Sequence, residues 1–157
     1  MATTFPRLLQ KHASERPNDP ALREKEYGIW QTWNWQRAAQ DVRAMASGLA
    51  ALGFTPGQNL AIVGDNRPHL YLMFIAVQAL RGVPVPMYQD AVAAEMAFVL
   101  EDAEVHFAFA ENQEQVDKML ELRETVPGLT HIIYDDPRGL RNYPQPGLIS
   151  VDELMAL

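Results

Sequence analysis

The chain has 157 residues, 48% hydrophobic and 21% charged, which suits one globular domain. A formal net charge of −7 leaves no basic stripe to neutralise phosphates and argues against a nucleic-acid surface. The absence of Cys excludes disulfides, thiolate nucleophiles and cysteine-based metal sites, and fits a cytoplasmic protein.

The opening MATTFPRLLQKHASERP carries no apolar run of signal-peptide length. Phe5, Leu8, Leu9, His12 and Ala13 recur at helical spacing after Thr4, a suitable N-cap, and Pro17 and Pro20 end that helix. Ala21 to Trp33 reads as two short strands around Glu26-Tyr27-Gly28. Trp35, Ala39, Val42, Ala46 and Leu49 then predict a strong helix. Asn34 is its N-cap, and Gly53 stands where a helix end needs positive φ.

Leu60 to Val63 is strand-like. Asp65 or Asn66 is expected to cap the next helix, with Pro68 in its first turn, running to about Leu80. That helix is apolar on nearly all sides, so it must be sandwiched, yet it is too short to span a bilayer. Val83 to Met87 is the next strand, and Pro84 and Pro86 make it an edge. A helix over Asp90 to Asp102, a strand over Val105 to Ala110, a helix over Asn112 to Arg123 and a strand over Leu129 to Tyr134 follow. Asn112 and Gln115 form a capping-box-like pair.

The alternation predicts an α/β fold: a largely parallel sheet of about four strands, covered by helices on both faces and preceded by a helix and a hairpin. Residues 1–33 form the helix and hairpin, 34–134 the α/β unit, and 135–157 a loop and the start of a helix. Ser150 and Glu153 form a capping box that opens that last helix, but the chain stops about two turns later. The expectation is therefore one partial domain of a longer protein. The alternative is a short final helix that docks on the sheet.

Little chemistry is legible. None of the nine Gly sits in a phosphate-loop or Gly-x-Gly context. The four His are dispersed, and Ser14, Ser47 and Ser150 lack a nucleophile-elbow context. Trp30, Trp33 and Trp35 read as hairpin and core packing, and Asp135-Asp136-Pro137 as a solvated turn. Ligands of open parallel sheets bind beyond the carboxyl ends of the strands. Those ends are polar and acidic here, and Asn66, Asp90 and Asn112 also read simply as helix caps.

Thr32-Trp33, Gly48-Leu49, Leu52-Gly53, Gly57, Asp65-Asn66-Arg67-Pro68, Gly82, Pro86, Tyr88 and Glu95 form a familiar string. From about Thr4 to Leu157 the chain resembles the N-terminal portion of AMP-forming, adenylate-forming enzymes, and among them long-chain fatty acyl-CoA synthetases. That resemblance implies a parent whose partners are a fatty acid, ATP with Mg²⁺, and CoA. An acyl-adenylate forms first, and the CoA thiol then displaces AMP. The family's Ser/Thr/Gly-rich phosphate loop ending in Pro-Lys-Gly is not in this chain, nor is its catalytic Lys lobe. The resemblance therefore implies no catalytic residue and no metal ligand here, and no tight binding of ATP, Mg²⁺ or CoA by this stretch alone. It places Gln89, Asp90 and Asn112 near CoA, although Asp90 would repel its phosphates. It leaves open peripheral association of the parent with a membrane. Apolar surface left uncovered would favour self-association. Two rivals stand beside it: a self-contained flavodoxin-like binding or regulatory module, and a non-enzymatic interaction domain that uses Trp30 and Trp33.

Overall fold

A computed structural model describes residues 3–157. Helix α1 (Phe5–Glu15) follows Thr4, whose side chain makes no capping bond; Pro6 in the first turn removes one N–H such a cap would use. Strands β1 (Pro20–Glu26) and β2 (Ile29–Asn34) form the expected antiparallel hairpin. Its two-residue turn needs positive φ at both positions, 47° at Tyr27 and 80° at Gly28. Helix α2 (Trp35–Ala51) starts as expected, with the Asn34 side chain accepting from the Arg37 N–H.

Five parallel strands make the main sheet: β3 (Asn59–Val63), β4 (Val83–Met87), β5 (Phe107–Ala110), β6 (His131–Tyr134) and β7 (Leu148–Ser150). Their spatial order is β4-β3-β5-β6-β7. The sheet thus has one strand more than the sequence predicts. Strand β7 is three residues long, too short for any alternation to show, and it sits at the end of a Pro- and Gly-rich loop. Helices α3 (Pro68–Ala79), α4 (Ala93–Asp102) and α5 (Gln113–Thr125) cross between the strands.

The side-chain period of two divides each central strand between two cores. Leu60, Ile62, Phe107, Phe109 and Ile133 face α1, α2 and α3. Ala61, Val63, Ala108, Ala110 and Ile132 face α4 and α5. The FAFA of β5 therefore puts its bulk on one face and leaves room for close helices on the other. Helix α3 lies among β3, β4, α1 and α2. That placement buries Leu70, Leu72, Met73, Ala76 and Val77, and explains a helix without a polar stripe.

Two helix starts differ from expectation. The N-cap of α3 is Arg67, neither Asp65 nor Asn66. A residue before proline is driven to extended backbone, so Pro68 forces the non-helical cap position onto Arg67, at φ −104° and ψ 159°. Helix α4 begins at Ala93 after Val92, not at Asp90. Asp90 is held in a tight turn in which the Ala91 N–H donates to the Tyr88 carbonyl at 3.1 Å.

The segment after β6 is anchored. Leu140 is buried in the second core, and the Tyr143 hydroxyl donates to Asp117 at 2.6 Å. Ser150 and Glu153 form the predicted capping box of α6 (Val151–Met155). Val151 and Leu154 are buried, and the Leu154 backbone lies so close to Gly48 of α2 that no Cβ would fit there. The final helix docks on the fold.

The free edge of β4 is chemically closed. The Val83 N–H donates to Gln58 at 2.9 Å, so Val83, Val85 and Met87 turn their backbone groups toward β3. Pro84 and Pro86 occupy the outward positions, where neither has an N–H to offer a further strand. Replacing both prolines by Val is expected to raise concentration-dependent self-association several-fold in sedimentation velocity. Equal association of variant and parent chain would contradict this reading.

Candidate functional site

The polar groups converge at the carboxyl ends of the strands. The order β4-β3-β5 places a topological switch point between β3 and β5, where the chain leaves toward opposite faces. Gly64 follows β3 at φ 150°, and a Cβ there would run into the side chain of Glu111, the first residue after β5. Glu111 is only 4% exposed. One carboxylate oxygen accepts from the Asp65 N–H at 2.5 Å, and the other meets Arg67 Nε at 2.5 Å. Arg67 Nη1 also donates to Glu24 of the hairpin at 2.8 Å. Burial works against the Arg67 charge, but Glu111 and Glu24 outweigh it and hold the guanidinium above its ordinary value.

Beside this group, His69 Nδ1 lies 2.6 Å from Asp135 Oδ1, and the Trp33 and His69 rings meet nearly at right angles, 5.8 Å between centroids. Asp135 therefore belongs to a partly buried pair, not to the solvated turn expected from sequence. Asp136 pairs with Arg138, which also donates to the Tyr27 hydroxyl at 2.9 Å. Those Arg138 hydrogen bonds hold the Asp136 carboxyl below its usual range. A cleft of about 280 Å³ lies between the hairpin and the end of β6, walled by Glu24, Trp33, Arg67, His69 and Asp135.

A second cleft, of about 480 Å³, opens at the ends of β3 and β4 over Asp65, Asn66, Tyr88 and Gln89. Gln89 Nε2 donates to Asp65 Oδ1 at 2.8 Å. Its carbonyl accepts from Lys118 Nζ at 2.6 Å and from Gln115 Nε2 at 3.4 Å. The Asn112 side chain accepts from the Gln115 N–H at 3.2 Å and caps α5. Gln115 thus joins Gln89 to Asn112 but does not reach back to complete a capping box. It is 3% exposed, and its amide oxygen has no partner among the described residues. Asp90 is exposed in the adjacent turn.

The sequence reading missed Arg67, Glu111 and the His69–Asp135 pair. Their partners lie more than forty residues away in sequence, so no local pattern marks them. The one available signal was a carboxylate directly after an all-apolar strand. Trp33 is buried at 6% exposure whereas Trp30 is 56% exposed, so the two do not form one surface. Among the described residues no group of three or more His, Cys, Asp or Glu could hold a metal ion, and no helix is long and apolar enough to cross a membrane.

The His69–Asp135 pair has a definite pH signature. Burial opposes the charged imidazole, but the hydrogen bond and charge of Asp135, with Asp41 and Asp152 beyond, raise the His69 pKa above its ordinary 6.5. A raised pKa contributes stability that is fully present below the unfolded value and is lost as pH rises through the folded one. Urea melts are expected to show stability falling from pH 6.5 upward, and a flatter profile in His69→Gln. Parallel profiles for the two chains would refute the pairing.

The chain is 28% identical over 126 residues to the long-chain-fatty-acid–CoA ligase FadD15 of Mycobacterium bovis, covering 80% of this chain and 21% of that protein. It is 28% identical over 134 residues to Rv1549 of Mycobacterium tuberculosis, an uncharacterized protein of which 73% is covered. The acetoacetyl-CoA synthetase of Streptomyces lividans superposes with a TM-score of 0.83 at 23% identity, over 98% of this chain and 25% of that one. The chain spans about a fifth of the length of FadD15. The family model for AMP-binding enzyme matches residues 9–150, and the chain belongs to that family.

Proposed function

We propose that this chain supplies the N-terminal scaffold of an AMP-forming ligase that activates a long-chain fatty acid with ATP and passes the acyl group to CoA. The observation that carries the reading is the family match over residues 9–150, together with relatives that bear the name long-chain-fatty-acid–CoA ligase. The site agrees in kind. Glu24 and Glu111 are paired with Arg67, and Asp135 with His69. ATP and Mg²⁺ are assigned to parts of such a ligase outside this chain, since none of its Gly-containing turns has phosphate-loop composition. The cleft over Gln89 and Tyr88, with Asp90 and Asn112 beside it, is the surface we assign to the CoA side.

The isolated chain is expected to show no ATP–pyrophosphate exchange with palmitate. Sustained exchange by the pure chain would overturn its assignment as scaffold. Asp90→Lys removes a carboxylate and adds a cation beside the cleft. Weak CoA binding, followed by NMR titration, is expected to tighten about two- to fivefold, as befits an exposed charge. An unchanged affinity would remove Asp90 from the CoA side.

A second reading has its own support. Rv1549 is short enough that this chain covers 73% of it, as a free-standing module of this size would require. Such a module melts cooperatively as a monomer and binds a small ligand at the strand ends. A monomeric two-state melt with ligand-dependent stabilisation favours it over the scaffold.

A further inference from the structure

We propose that the Glu111 carboxylate is an internal occupant of the sheet's own anion site, filling the point where a doubly wound sheet of this order would otherwise take a ligand. The inference rests on geometry and is independent of the activity assigned above.

The strand order is that of flavodoxin-like sheets, in which a ligand sits beyond the switch point next to the first strand. Here that point is the gap between the ends of β3 and β5. An anion site there needs a backbone N–H from the loop after β3 and a nearby cation. Both are present: the Asp65 N–H and the Arg67 guanidinium. Both are aimed at a carboxylate from the same chain. Gly64 carries no Cβ, and that vacancy is what lets Glu111 lie over it. The side chain is buried, and each of its oxygens has a partner at 2.5 Å. The donors that would bind a phosphate or carboxylate ligand are already satisfied. The switch point is therefore closed to an anionic ligand, and the neighbouring β3–β4 cleft over Asp65, Asn66, Tyr88 and Gln89 stays open. The same contact ties the hairpin to the sheet, because Arg67 holds Glu24 with its other arm.

Glu111→Ala tests this directly. The substitution deletes a CH₂–carboxylate, and acetate restores the same group in size and charge. The variant should lose about 5–8 °C in Tm, because the Asp65 N–H is left without its acceptor and the partly exposed Arg67 keeps only Glu24. Acetate in about tenfold excess of its dissociation constant should return about 3–5 °C. Sodium chloride at the same ionic strength should not. The parent chain should gain nothing from acetate beyond the chloride effect. Glu111→Gln, which still fills the space, should not respond, and Arg67→Ala combined with Glu111→Ala should lose the response. If Glu111→Ala does not fold, acetate-dependent recovery of its far-UV circular dichroism supports the proposal, and failure to recover overturns it. Equal stabilisation by acetate and chloride, or equal rescue of the Gln variant, also overturns it.

Discussion

Strand β3 lies between β4 and β5 and is covered on both faces, so Leu60 to Val63 are all removed from water. A parallel strand in that position must be apolar throughout, and each of its faces must find a helix layer. Most of the remaining architecture answers this demand. Helices α2 and α3 cover the face that carries Phe107 and Phe109, and α4 and α5 close on the alanine face. Because α3 is enclosed by α1, α2 and the sheet, it can be almost wholly apolar, and it contributes packing in place of reactive groups. The edges obey the same logic in reverse. Strand β4 lies outside the protected zone, and its prolines leave no donor for another chain.

The carboxyl ends of the strands are the one place where this construction gathers polar groups. In many sheets of this order those groups await a ligand. Here they have found one another. Glu111 takes the loop N–H after β3 and the Arg67 guanidinium, Glu24 takes the other arm of Arg67, and Asp135 takes His69. The result is a low-chemistry surface that holds the hairpin against the sheet. The chain carries this surface as a member of the AMP-binding enzyme family. The groups still open at the strand ends lie around Gln89 and Gln115, on the β3–β4 side.

How much of this was legible before folding differs by element, for physical reasons. Long periodic segments were readable. The spacing of Trp35, Val42 and Leu49 announces α2, and Asn34 and Ser150 cap the helices they precede, because capping is satisfied within four residues. Short or strained pieces were not. Strand β7 has three residues, and the start of α3 was displaced from Asp65 or Asn66 to Arg67 by the backbone restriction before Pro68. Gln89 and Asn112 lie at neighbouring strand ends, but the residue that joins them, Gln115, had signalled only a cap.

The sequence alone therefore determined the α/β alternation and the edge character of β4, since composition and local periodicity carry those properties. Only the tertiary structure decided which charges meet. Arg67 and Glu111 stand forty-four positions apart, as do a loop after one strand and a loop after the next but one. It is the parallel register of β3 against β5, Val63 beside Ala110, that brings them into contact. No local pattern encodes a register between strands that are joined through two helices and a third strand.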